Sequence, residues 1–157
     1  MITGVRTALI CDRLEQDELG RTNAMGLYGD TIYASSRPGF VDCWLLVMPE
    51  LDGRPTEATV MVEAPEFAHT FPYSAGAGLT VSGAGYQMIL PVLQPGRLTV
   101  TVRNAQHKGA PFTRLWKLAF TDQAAILGPA DVRELMVGAN KASGLLGQAF
   151  TGAARLA

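Results

Sequence analysis

Two histidines, two cysteines and 14 Asp/Glu carboxylates are the groups available for acid–base, nucleophilic or metal chemistry. His69 and His107 lie in different segments. A triad needs a base oriented by an acid and facing a nucleophile, and Thr70 or Ser74 beside His69 in sequence carries no such geometry. HExxH and GxSxG are absent. Gly76-Ala-Gly78 and Gly83-Ala-Gly85 lack both the further glycine and the lysine that cradle a phosphate. The loop acids Glu50, Asp52, Glu66 and Asp122 are scattered, whereas a calcium site needs converging oxygen ligands. Cys11 and Cys43 show neither CxxC nor zinc spacing. They read as two buried free thiols, with a mutual disulfide or a reactive thiol as the alternatives. The expectation is a non-enzymatic protein without cofactor or metal.

One aromatic constellation stands out. Phe67, His69, Phe71 and Tyr73 alternate along one side of the segment if it is extended, with Thr70 and Pro72 opposite. Rings with polar tips suit sugar or partner contacts. The same rings can equally plug the end of a core beneath a long loop.

Composition narrows the classes. The 157 residues are 48% hydrophobic and 17% charged with net charge −1, which is enough for one domain with its own core. Thirteen Lys/Arg against 14 Asp/Glu lack the basic excess of nucleic-acid proteins. Arg97, Arg103, Lys117 and Arg114 (the last of inward parity) read as a solvated face. Arg6 and Asp12 bracket a short apolar run, so no classical signal peptide is expected at the start. No uncharged apolar run reaches the ~18 residues of a spanning helix. The expected compartment is the cytoplasm, or a particle assembled there.

The positioning elements read as strands. Glu57–Glu63 alternates Ala58, Val60 and Val62 against polar neighbours, and Arg97–Arg103 alternates Leu98, Val100 and Val102. Arg114–Phe120 turns Trp116, Leu118 and Phe120 inward. Val41–Met48 suits a central strand, Tyr86–Leu93 is apolar partly on both faces, and Val5–Asp12 and Leu27–Ala34 are weaker strands. Asp52-Gly53 and Pro95-Gly96 mark turns, the second as type II with positive φ at Gly96. The reading is an all-β chain: an antiparallel β-sandwich of about seven strands, Ig-like, over 1–128. Its expected core is Leu9, Cys43, Leu45, Val60, Val62, Leu90, Val100, Val102, Trp116 and Leu118.

Two segments depart from that plan. Residues 65–85 read as a long Gly-rich insertion. Residues 129–157 read as a short helical or partly ordered C-terminal extension, with Leu135 and Met136, then Leu145, Leu146 and Phe150, at helical spacing. The extension either lies on its own sandwich or docks on a neighbouring subunit, and those five side chains are the candidate contacts.

Thr7-Ala-Leu-Ile-Cys11-Asp12 followed by Gly20 to Ile32 resembles DUF6941, a family of small bacterial and phage-associated proteins of unknown function. Pro95-Gly96-Arg97 to Arg103 is similar to its later hairpin, so the resemblance covers roughly 5–120. It implies a compact β-sandwich and no assigned activity, and the 65–85 segment and the tail depart from it. Near-zero charge, a mean hydropathy of +0.15 and a tail in which the small residues Ala139, Ser143, Gly147 and Thr151 recur every four positions point to a structural or assembly module acting through protein–protein contacts. Its partner would be itself or another protein, in a homo-oligomer or a phage-type particle. The alternative is a small-ligand or carbohydrate-binding module using Phe67, Phe71 and Tyr73.

Overall fold

A computed structural model describes residues 1–107, 109–131, 133 and 137. They form nine strands: β1 (Ile2–Gln16), β2 (Thr22–Leu27), β3 (Thr31–Arg37), β4 (Gly39–Leu51), β5 (Thr56–Ala64), β6 (Phe67–Ala75), β7 (Ala84–Val92), β8 (Gly96–Asn104) and β9 (Phe112–Ile126). Sheet A has the order β2-β1-β4-β7 and sheet B the order β3-β9-β8-β5-β6. Neighbours are antiparallel except β3 and β9, which run parallel. The result is almost all-β, two curled sheets packed broadly as a sandwich, with a minor helix starting at Pro129.

Nine strands replace the expected seven for local reasons. The supposed insertion at 65–85 contains β6, which pairs with β5 from Ala64↔Phe67 to Thr56↔Ala75. Pro72 is tolerated there because β6 is an edge strand and its missing N–H breaks no ladder. The Gly-rich connection shrinks to residues 76–83. The expected Leu27–Ala34 strand is broken at Tyr28-Gly29-Asp30, so its halves join different sheets. Strand β9 runs past Phe120 to Ile126 beside β3.

The alternation of small and polar residues with apolar ones decides which side of each strand turns inward. Ala58, Val60 and Val62 of β5 meet Leu98, Val100 and Val102 of β8, and Trp116 and Leu118 of β9, facing Cys43, Leu45, Met88 and Leu90 of sheet A. Each valine, leucine or methionine among them contributes about 1.5–3 kcal/mol on full burial. Leu9 is the exception to the expected core. Ala8 and Ile10 take the inner positions and Leu9 is half-buried on the other face. The run Thr7–Cys11 is apolar on both sides, so its parity is not legible from pattern, and β1 carries register shifts at 2–4 and 5–7. Phe120 is likewise half-buried, with Arg37 stacked 5.6 Å from its ring centroid.

Gly96 does not take the positive φ expected of it. Its reason is proximity: a Cβ there would lie 2.6 Å from Cγ of Pro65. Gly53 does adopt φ 79° in the Asp52-Gly53 turn.

Where the start of β1 crosses the end of β8, Asn104 joins the sheets. The Ile2 N–H donates to Asn104 Oδ1 (2.7 Å), and Asn104 Nδ2 donates to the Ile2 carbonyl (3.1 Å), both buried. Truncation leaves two buried main-chain groups without these partners, each costing about 1–3 kcal/mol. Asn104→Ala is therefore expected to lower unfolding free energy by about 2–4 kcal/mol in urea denaturation with an unchanged m-value. Asn104→Asp is expected to be no milder, because it buries a carboxylate oxygen against the Ile2 carbonyl.

Candidate functional site

The aromatic segment lies inside. Phe67, His69, Phe71 and Tyr73 do share one side of β6, and that side faces the core: the three rings are buried and His69 is half-buried. Phe71 stacks on Tyr86 at 4.7 Å, and His69 meets Phe71 edge-on at 4.5 Å. The hydroxyls do structural work at the seam between the edge strands β6 and β7. Tyr86 donates to the Pro72 carbonyl (3.1 Å) and Tyr73 to the Ser82 carbonyl (3.1 Å). These rings present no exposed face to a sugar. Burial holds the His69 pKa below its ordinary value.

Cys11 and Cys43 are both free and buried. Cys43 sits in the core beside Leu45, and Cys11 pairs with Trp44 on the opposite face of sheet A. Opposite faces preclude the disulfide. Burial raises both thiols above their ordinary pKa. Among the described residues no group of three or more His, Cys, Asp or Glu side chains converges. Leu135, Met136, Leu145, Leu146 and Phe150 lie outside the described residues.

The outer faces of the sheets differ in chemistry. Sheet B turns outward Thr59, Thr70, Thr99, Thr113, Glu57, Glu63, Arg97, Arg103 and Lys117, with Leu115 and Met61 among them. Of the expected basic group, Arg114 stands apart. It reaches across the open seam between β1 and β9, donates to the Ala8 carbonyl and stacks 5.0 Å from the Trp116 ring centroid. The seam holds a cavity of about 400 Å³ with Val5, Val100, Val102 and Phe112 among its walls. The outer face of sheet A carries more apolar side chains, with Leu9, Cys11, Phe40, Trp44, Leu46, Met48 and Ile89 on it by register beside the polar Thr7, Asp42 and Gln87.

That apolar band continues onto a projecting ribbon. Pairing of β1 with β4 ends at Cys11↔Trp44, and beyond it residues 13–16 pair only with β2. The ribbon's tip is pinned by Asp17, whose Oδ1 accepts the N–H groups of Leu19 (3.0 Å) and Arg21 (2.8 Å) while Oδ2 accepts from Arg21 Nε (2.6 Å). Those bonds, the Arg21 amide foremost, hold the Asp17 carboxyl below its usual pKa. Leu19, Met25 and Leu27 stand 78%, 41% and 61% exposed along it. Sequence reasoning passed over them, although Met25 and Leu27 have the alternate spacing of one strand face.

No protein-family model matches the chain, and no curated protein is found as a relative.

Two outcomes follow from the inward rings. Phe71→Ala is expected to cost about 3–5 kcal/mol of stability in chemical denaturation, as a core truncation does, and not to act as a surface change. His69 has a folded-state pKa below its unfolded one, so the unfolded chain binds the proton more readily. Its contribution is present above the unfolded value of about 6.5 and lost as pH falls toward the folded value. In urea titrations from pH 7.5 to 5.5, His69→Gln is expected to flatten the fall in stability.

Proposed function

We propose that this chain is a non-enzymatic assembly module that acts through protein–protein contacts, in a homo-oligomer or a larger particle of phage type. One observation carries the reading. The β1–β2 ribbon projects past the point where β4 stops pairing and exposes Leu19, Met25 and Leu27. A two-stranded ribbon is marginal in water by itself, because it lacks a third strand or a packing face. Exposed side chains contiguous with an apolar sheet face mark contact surfaces in soluble proteins. Burying Met25 and Leu27 against a neighbour would stabilise ribbon and contact together, at about 25 cal/mol per Å² of apolar area removed from water. In this reading the resemblance of residues 5–120 to DUF6941 supplies an Ig-like scaffold, and the contact surface belongs to this chain. The module works in the cytoplasm or in a particle assembled there.

Size-exclusion chromatography with light scattering tests the reading on the full chain. The wild type is expected above its monomer mass of 16.7 kDa, increasingly so with concentration. Met25→Lys/Leu27→Lys is expected to run as monomer with stability changed by no more than about 0.5 kcal/mol, as at other exposed sites. A wild type that stays at monomer mass at every concentration overturns self-assembly. An oligomer indifferent to the double substitution removes the ribbon from the contact.

A further inference from the structure

The seam between β1 and β9 carries a charge at a position of inward parity. Arg114 pairs directly with Val100, two places along from the pair Trp116↔Leu98, so it stands on the inner face of sheet B. Val100, Leu98 and Trp116 all belong to the core. Charged side chains at such positions are ordinarily paired. Arg114 is not: among the described residues it joins no ion pair, and its hydrogen bond goes to the neutral Ala8 carbonyl. Arg6, the other guanidinium of the seam, is answered by Glu50 (3.4 Å). Beneath the Arg114 guanidinium, Trp116 is buried, and its indole Nε1–H has no hydrogen-bond partner among the described residues. Donors therefore outnumber acceptors at this point of the fold.

The guanidinium borders a cavity. Strand β4 pairs with one side of β1, whereas the register with β2 on its other side begins only at Cys11. Strand β9 likewise meets β3 only from Lys117 onward. Between the two uncovered edges lies the cavity of about 400 Å³, within the ~300–1,000 Å³ usual for small-ligand sites. Val5, Ala8, Val100, Val102 and Phe112 give it apolar walls, and no carboxylate is among its described walls. Arg114 itself is exposed, so the charge sits where the cavity opens to water. We propose that this cavity binds a small amphipathic carboxylate, its apolar tail between those five side chains and its head on Arg114. The planar guanidinium fork matches a carboxylate with two parallel N–H···O bonds, and the charge makes them stronger than bonds to a neutral group. A neutral or cationic ligand of the same shape would leave Arg114 unanswered. None of the ribbon residues lines the cavity, so the proposal goes beyond the assembly reading and is independent of it.

Isothermal titration calorimetry of the full chain with octanoate tests it. Octanoate is expected to bind with Kd below about 1 mM, as suits a ligand of this size. Octanol, which keeps the tail without the charge, and acetate, which keeps the charge without the tail, are each expected to bind at least about tenfold more weakly. Arg114→Met is expected to weaken octanoate about tenfold or more and to leave octanol unchanged, while Arg114→Lys stays between the two. Lys117→Met, which removes a charge from the outer face of the same strand, is expected to bind octanoate as the wild type does. No octanoate binding at about 5 mM overturns the proposal. So does octanol or acetate binding as tightly as octanoate, an Arg114→Met variant of wild-type affinity, or a loss in Lys117→Met as large as in Arg114→Met. Arg114 also ties β9 to the Ala8 carbonyl, so Val5→Phe serves as a second variant that fills the cavity and keeps the guanidinium. Weakened octanoate binding in folded Val5→Phe supports the site, and wild-type affinity overturns it. Oligomer mass, which tests the ribbon, is unaffected by either result.

Discussion

The two sheets have to be held together along seams where backbone ladders give out, and side chains do that work. At one seam the edge strands β6 and β7 are tied by the hydroxyls of Tyr73 and Tyr86, each donating to a carbonyl of the other strand's segment. At the other, Asn104 presents an acceptor and a donor to Ile2 much as a neighbouring strand would, and Arg114 reaches the Ala8 carbonyl. Free strand edges invite pairing with other chains, so occupying their polar groups with side chains keeps the fold from pairing indiscriminately. The inner faces supply most of the favourable free energy. The seam contacts decide that this energy is spent on one arrangement of the two sheets.

Beyond the seams lie the outer faces, and they are unlike. Sheet B shows threonines and charges, a surface content to face water. Sheet A shows Leu9, Trp44, Leu46 and Met48 on its two central strands, and the β1–β2 ribbon beyond them exposes Met25 and Leu27. The fold therefore separates a polar side from a more apolar one. The β1–β2 ribbon leaves Leu19, Met25 and Leu27 exposed, and this exposure is the basis for reading the protein as one that works by contact. The rings of β6, which read in the sequence either as a contact surface or as a plug of the core, belong to the seam and core.

Much of the strand content was legible because period-two alternation is a local consequence of burial on one side. Glu57–Glu63, Arg97–Arg103 and Arg114–Phe120 all fold as their pattern dictates, and Val41–Met48 lies within a strand paired on both sides. The pattern was ambiguous where both sides were apolar. At Thr7–Cys11 it placed Leu9 in the core in place of Ala8 and Ile10. It was also misleading where glycines suggested one long insertion over 65–85: strand β6 forms within it, and Pro72 is compatible with that strand because an edge position removes the need for its N–H. Gly96 shows the same limit, since the group that excludes a side chain there is Pro65, thirty-one residues earlier in the chain.

By itself the sequence determined that the chain would be β-rich, and that Phe67, His69, Phe71 and Tyr73 would share one side of their segment if it were extended. Those properties depend on composition and on spacing within one strand, which neighbours along the chain control. Only the tertiary structure decided which way that side faces, which strands are edges, and which sheet carries the more apolar outer surface. Facing and edge status depend on which strand lies beside which, and strand order is set by contacts between residues as far apart as Ile2 and Asn104. The same aromatic pattern would have made an exposed surface in a strand turned the other way. The opposing sheet, through Tyr86 stacked on Phe71, makes it a wall of the core.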